Sequence, residues 1–229
     1  MSDGGANGVG ARSRHEDEAV SPRSSLELAG RRVLLRPLTP ADFEQWQEVR
    51  LRCDEWLTRW EPQVAPGRPD VVNDRRAFAA RCGARDRERQ LGTGYGFGIF
   101  VGERLRGEIN LNAIQRGPFQ NAYVGYWIDQ EVAGRGFTPE AVVAVFRFAF
   151  EDLGLHRLQV SIIPRNHPSR RVAEKLGLRD EGVAVRYLEI NGAWEDHVRY
   201  AITVEEWQER QEQYLKEWIL PVHQVEQSR

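Results

Sequence analysis

Cysteine is nearly missing from this chain: Cys53 and Cys82 are its only two in 229 residues. They form neither a disulfide framework nor a metal motif, and the expectation is two reduced, partly buried thiols in a cytoplasmic protein. Long hydrophobic runs are missing as well. No stretch of about 18 apolar residues occurs, so no membrane-spanning helix is expected. The first stretch, MSDGGANGVGARSRHEDEAVSPRSS, has no apolar core and does not read as a secretory signal. Neither sign of charge dominates. Lys and Arg number 32 against 34 Asp and Glu, a net of −2, which gives no electrostatic case for direct nucleic-acid binding. His156, His167 and His197 have no spacing suited to a metal, and no metal is expected.

What is present is an ordinary globular balance, 41% hydrophobic and 29% charged, in a length that suits one large domain or a domain with tails. Residues 1–25 are too polar to bury a core and are expected to form a disordered tail. A folded domain is expected over 26–205, and a C-terminal helix and tail over 206–229. RRVLLRPL reads as a strand closed by Pro37. Thr39 then reads as a helix cap, with Pro40 at the first helical position of ADFEQWQEVRLRC. Phe43, Trp46, Val49 and Leu51 supply its inner face. After the loop EPQVAPGRPD, a second helix is expected over VVNDRRAFAARCGARDRERQ, with Val72, Phe78 and Ala79 as its apolar stripe.

Strand patterns follow. GYGFGIFVGERLRGEINLNAI contains a hairpin turning near Gly102–Arg104, and NAYVGYWID is the next strand. A helix is expected from about Thr138 to Asp152, then the strand LHRLQVSIIP, then a helix within RNHPSRRVAEKLGL that Gly177 ends. VRYLEINGAWEDHVRYAIT reads as a last hairpin turning at Asn191-Gly192, and VEEWQERQEQYLKEWI as a terminal helix. Hairpins at both ends and β-α-β-α between them predict an α/β (α+β) fold, a mixed sheet with helices on both faces.

The stretch EVAGRGFTPE carries the first chemical signal. A helix start leaves backbone N–H groups free at the positive end of a dipole, where phosphate binds well. Gly134 and Gly136 remove side chains that would hold an anion away. Gly134, Arg135, Gly136, Phe137 and Thr138 could therefore aim amides at a pyrophosphate. A plain strand-to-helix turn, capped by Thr138, is the alternative. The stretch lacks both the Gly-Lys-Ser/Thr of a P-loop and the third glycine of a dinucleotide fingerprint. In the second block, PRNHPSRRVAEKLGL, Asn166 and Ser169 stand three apart at a strand-to-helix junction. Ser169 either caps that helix or donates a proton to a leaving group. Arg170 and Arg171 either face solvent or meet a phosphate.

GYWIDQEVAGRGFTPEAV, HRLQVSIIPRNHPSRRVAEKLGL and EGVAVRYLEINGAWEDHVRYAIT, in that order, resemble the GNAT N-acetyltransferases, and most of all the RimJ/RimL-type ribosomal-protein alanine N-acetyltransferases. The likeness covers roughly residues 30–205. It departs at Glu131, where many members carry Gln or Arg, and Glu131 is expected to point away from the loop. The resemblance implies a sheet that splays between NAYVGYWID and LHRLQVSIIP. Acetyl-CoA would lie in the fork, its pantetheine beside Trp127, Ile128, Asp129 and Asn166, its pyrophosphate on residues 134–138, and its thioester near Ser169. Arg171 joins this cofactor-binding set.

The implied reaction is direct attack of an amine on the thioester. Glu108 is the first candidate base, on the expectation that it points toward the groove, with Asp129 second. Ser169 is the first candidate to protonate the departing thiolate, with Tyr187 second. Tyr95, Phe97, Tyr126 and Trp194 are candidate floors for the acceptor groove. His197 is expected to be packed or paired with Asp196. The implied acceptor is the N-terminal α-amine of a protein, possibly ribosomal. A small amine (antibiotic, polyamine or amino acid) and a non-catalytic acyl-CoA-binding module are the alternatives. Both monomer and homodimer stay open.

Overall fold

A computed structural model describes residues 26–65 and 67–219. The expected N-terminal tail and residues 220–229 lie outside the described residues. Strands β1 (Leu28–Ala29) and β2 (Val33–Arg36) precede three helices, α1 (Phe43–Arg52), α2 (Asp54–Thr58) and α3 (Arg75–Leu91). Strands β3 (Tyr95–Val101), β4 (Arg104–Gln115) and β5 (Asn121–Ile128) follow, then α4 (Phe137–Arg147), β6 (Arg157–Ile162) and α5 (His167–Lys175). The hairpin β7 (Arg179–Ile190) and β8 (Ala193–Thr203) leads into α6 (Val204–Tyr214), which ends in a π turn at Leu215–Ile219.

The strands form one sheet in the order β1-β2-β3-β4-β5-β6-β8-β7. All neighbours are antiparallel except β5 and β6. That parallel pair is short. It joins Asn121, Ala122 and Tyr123 to Arg157, Leu158 and Gln159, and goes no further. β5 continues to Ile128 along β4 and β6 continues to Ile162 along β8, so the two diverge into a fork.

Helices cover the two faces unequally. Under α4, α5 and α6 lies the main core, including Leu35, Ile99, Ile109, Leu111, Val124 and Leu158. α4 is buried from Thr138 through Phe146, which explains a helix apolar nearly all round. Each fully buried Val or Phe of this kind contributes about 1.5–3 kcal/mol. α1 and α3 cover the opposite face with a second cluster of Phe43, Trp46, Phe78, Cys82, Phe100 and Leu105.

Local chemistry accounts for most element ends. Thr39 and Asp42 form a capping box, Asp74 accepts from the Arg76 and Ala77 amides, and Gly92 closes α3 in the left-handed region. α3 thus begins at Arg75, later than the periodicity predicts. Leu51 does not join the inner face of α1 and is 53% exposed. The chain breaks at Cys53 and restarts as α2, an element the sequence pattern does not announce.

Two ionic clusters tie the fork to its surroundings. Asp129, directly after β5, is fully buried. Its Oδ2 accepts from Arg52 (2.8 Å) and Arg106 (2.7 Å), and its Oδ1 from the Cys53 thiol (3.4 Å) and the Glu131 amide (3.1 Å). Glu140, in the first turn of α4, is 1% exposed and accepts from the Arg32 and Val33 amides and from the Arg32 guanidinium. Arg32 also donates to the Arg135 carbonyl at 3.1 Å and lies 4.6 Å over the Phe137 ring.

Removing the Glu140 carboxylate strands the buried Val33 amide, while the half-exposed Arg32 guanidinium keeps water and the Arg135 carbonyl. Glu140→Ala is expected to cost about 1–3 kcal/mol, read from urea denaturation. A loss below about 1 kcal/mol would show that the cluster does not hold this corner.

Acid should loosen the same framework. Burial pushes the Asp129 carboxyl up, but the Arg106 hydrogen bond, the Glu131 amide, Cys53 and Arg52 outweigh it, and the net value is lowered. Glu181 is held down to about 2, first by its Arg157 hydrogen bond, against partial burial and with help from Arg179. Both groups therefore contribute stability that is complete above their unfolded values, about 4. It is lost as pH falls through the lower folded values. Melting temperature is expected to drop between about pH 4.5 and pH 2, and less steeply in Asp129→Asn.

Candidate active site

The fork opens into a groove of about 500 Å³. Its β5 wall is Tyr126, Trp127 and Ile128, and its α5 wall is Asn166, Pro168, Ser169, Arg171, Val172 and Lys175. Val132, Ala133, Gly134, Gly136, Phe137, Thr138 and Pro139 close one end, and Trp56, Leu57, Arg59, Trp60 and Glu61 form a roof. The Trp56 indole donates to the Ile128 carbonyl at 3.3 Å, so α2 holds the β5 arm at its free end.

The glycine loop takes the form its sequence suggests. Gly134 has φ +78° and Gly136 φ +86°, and Gly136 is the N-cap of α4. A side chain at Gly134 would meet no other atom within 4 Å, so that glycine is set by backbone conformation. At Gly136 the neighbours are Arg32 and Trp218. The Arg135 amide folds back onto Val132 and Pro139 has no N–H, so Phe137 and Thr138 supply the amides of a bare helix start. The acids nearby are neutralised. Glu140 is held by Arg32, and Glu131, as expected, turns from the loop to pair with Arg52 and Arg106.

At the other wall, Asn166 caps α5 by accepting from the Ser169 amide at 3.2 Å. The Ser169 hydroxyl lies 2.9 Å from the Tyr126 hydroxyl. Arg171 lines the groove, whereas Arg170 is bonded to Tyr200 and to the Pro164 carbonyl. The Lys175 ammonium sits 4.8 Å over the Trp218 ring, which brings the terminal π turn against the groove.

Of the cofactor set expected from the sequence, Trp127, Ile128, Gly134, Gly136, Phe137, Thr138, Asn166, Ser169 and Arg171 line the groove. Asp129 and Arg135 do not. Asp129 is turned into its arginine cluster, its amide bonded to the Arg106 carbonyl, and the exposed Arg135 offers its carbonyl to Arg32.

The expected orientation of Glu108 is not found. Glu108 is 3% exposed, and it accepts from the Trp46 indole at 2.6 Å and from Arg81 at 2.5 Å. It lines a separate cavity of about 20 Å³ under α3. Strand alternation sends Glu108 to the α1/α3 face, and both carboxylate oxygens are committed there. Tyr95 and Phe97 pack edge-on against Phe148 in the core instead of flooring the groove. Tyr187 and Trp194 also lie outside it. Tyr187 meets His197 edge-on, and Trp194, 64% exposed, stands at the start of β8. His197 is packed, with Nδ1 at 2.9 Å from the Glu195 carbonyl and not paired with Asp196. Tyr126 alone of the four aromatic candidates lines the groove.

Sequence reasoning missed the roof: Trp56, Leu57, Arg59, Trp60 and Glu61. Its signal was available in WLTRWE, where two tryptophans stand one helical turn apart before a proline. Glu61 is bound by Arg50 through two bonds, at 2.7 and 2.6 Å. Among the described residues no cluster of three or more His, Cys, Asp or Glu side chains could hold a metal, and no helix is long and apolar enough to cross a membrane.

Comparison with known proteins agrees with this geometry. The family model for the GNAT acetyltransferase domain matches residues 32–179. The [ribosomal protein uS5]-alanine N-acetyltransferase of Escherichia coli is 34% identical over 184 residues, 80% of this chain and 93% of that protein. The solved structure of Mycobacterium smegmatis RimJ in complex with CoA-disulfide has 30% identity and a TM-score of 0.75, covering 83% of this chain and 92% of that one. The ribosomal-protein-S5-alanine acetyltransferase of Vibrio fischeri has 27% identity and a TM-score of 0.72, covering 80% and 98%. A family match across more than half of the chain, over the fork and both of its walls, makes the protein a member of the GNAT family and an N-acetyltransferase.

Proposed function

We propose that this enzyme transfers the acetyl group of acetyl-CoA to the N-terminal α-amine of a protein, with a ribosomal protein as the favoured acceptor. The observation that carries the donor is the forked groove with a bare helix start at one end. The ribosomal-protein acetyltransferases among its relatives support the acceptor.

The residues present fit the donor. Gly134 and Gly136 keep the loop open, and the Phe137 and Thr138 amides at the helix start suit a pyrophosphate. Arg171 and Lys175 add positive charge on the α5 wall. β5 has no partner beyond Tyr123 on its β6 side, so its backbone there can pair with an amide-bearing chain such as pantetheine. When bound, acetyl-CoA supplies an activated acyl thioester.

The chain's own groups then orient and protonate. Ser169, fixed through its amide by Asn166, is the donor to the departing sulfur. Tyr187 is not retained in that role, because it lies outside the groove. No free carboxylate faces the groove among the described lining residues, since Glu61 is held by Arg50 and Glu108 lies elsewhere. The acceptor amine is therefore deprotonated through water, and Glu108 serves as a brace between β4, α1 and α3.

Four outcomes test this reading. Gly134→Val with Gly136→Val forces two β-branched residues to positive φ and is expected to weaken CoA binding ~100-fold or more by calorimetry, with circular dichroism unchanged. Unaltered affinity would sink the loop assignment. Transfer to a panel of N-terminal peptides should exceed transfer to lysine side chains and to small amines; parity or reversal would favour the small-amine enzyme. Ser169→Ala is expected to lower kcat about 100-fold, whereas Glu108→Gln should lower thermal stability and leave the pH profile of kcat/KM in place.

A further inference from the structure

Tyr126 and Ser169 meet across the fork. One comes from the β5 arm, the other from the helix that follows β6, and their hydroxyls are 2.9 Å apart. Both line the groove. The phenol oxygen is also 3.3 Å from the Ser169 carbonyl oxygen. Ser169 itself cannot drift, because its amide is bound by the Asn166 cap and its helix is packed through Ala173 and Leu176.

Either hydroxyl could donate across this contact, and the phenol has two acceptors on Ser169, its carbonyl and its hydroxyl oxygen. Burial pushes the Tyr126 hydroxyl up to about 12, against the smaller lowering by Ser169. Tyr126 therefore keeps its proton at any working pH, and both Ser169 oxygens within reach can accept it. A serine hydroxyl that accepts through a lone pair has its own proton left for another partner. The open side of that hydroxyl is the groove.

We propose that Tyr126 is a positioning residue for the departing sulfur: it donates to Ser169 Oγ and so turns the serine O–H toward the thiolate. The proposal rests on the reading of Ser169 as the proton donor. In the step, the C–S bond breaks with its electron pair on sulfur, the Ser169 O–H bond breaks, and an S–H bond forms. Ser169 Oγ is reprotonated as its own proton leaves, so no alkoxide forms to take the proton of the Tyr126 O–H, which stays intact. Water takes the proton lost by the attacking amine and returns one to Ser169. Tyr126 carries no proton to the substrate and touches no reacting atom.

A double-mutant cycle separates this proposal from the reading beneath it. Tyr126→Phe is expected to lower kcat about tenfold with KM for acetyl-CoA and CoA affinity unchanged. In Ser169→Ala the same change should have no further effect, because the coupled partner is gone. A strut would instead shift melting temperature and KM together. Equal losses in both backgrounds, or no loss from Tyr126→Phe while Ser169→Ala is slow, overturns the Tyr126 role alone. A fully active Ser169→Ala overturns the serine reading and this proposal with it. The unaltered chain gives a second measurement should the phenylalanine variant not fold. A crystal structure with CoA must place Ser169 Oγ within about 3.5 Å of both the sulfur and Tyr126 Oη. An Oγ turned away from either contradicts the relay.

Discussion

The molecule depends on an incomplete strand pairing. β5 and β6 share three residue pairs and then part, although each remains bonded to its outer neighbour to the end. Backbone groups that face a gap in a sheet are costly unless something satisfies them. Here the Trp56 indole satisfies the Ile128 carbonyl, and the rest of that edge is left to the groove. A sheet that zipped shut would have no groove, so its closure has to be resisted from outside. On the β5 side the resistance is Asp129, clamped by Arg52 and Arg106. On the β6 side it is the Asn166-capped start of α5.

Electrostatics at the loop follow from the same division of labour. A helix start attracts anions, including the chain's own carboxylates. Glu131 and Glu140 would both compete with a phosphate, yet each is held by arginine. Arg32 does this with one planar group. It binds Glu140, donates to the Arg135 carbonyl and covers the Phe137 ring, so lysine could not replace it. The positive end of α4 is left for an outside ligand. Trp218 and the β1–β2 turn reinforce this corner through the bond from the Arg31 amide to the Trp218 carbonyl (2.9 Å). The terminal helix is therefore part of the site's scaffold.

Local rules made much of this legible. The glycines, the Asn191-Gly192 turn and the splay between NAYVGYWID and LHRLQVSIIP depend on nearby residues or on a three-block pattern, and they stand where the sequence puts them; the cap of α5 is Asn166 and not Ser169. Glu108 and Phe97 are misplaced for one physical reason. Strands β3 and β4 are covered on both faces, so the register, which pairs Phe97 with Ile109 and Gly98 with Glu108, sends Glu108 and Phe97 in different directions, and alternation within either strand does not tell which direction is the groove. Glu108 stands on a central strand, and its position there does not fix the face it takes. Arg81 and Trp46, far away in sequence, are what allow its burial. α2 was missed because five residues are too short to show a period, although Trp56 and Trp60 carried the signal.

The roof bears on what the acceptor can be. Glu61 is the one acid among the described lining residues, and Arg50 occupies both of its oxygens. A site so furnished can do little to deprotonate a strongly basic amine. An α-amino group titrates near 8 and a lysine side chain near 10.4, a gap of about two and a half pKa units. At neutral pH the α-amine thus has a neutral fraction a few hundred times larger. Where water takes the proton, that fraction enters the rate directly. An enzyme that holds the donor and leaves its carboxylates bound to arginine is suited to an amine that is already partly neutral when it arrives.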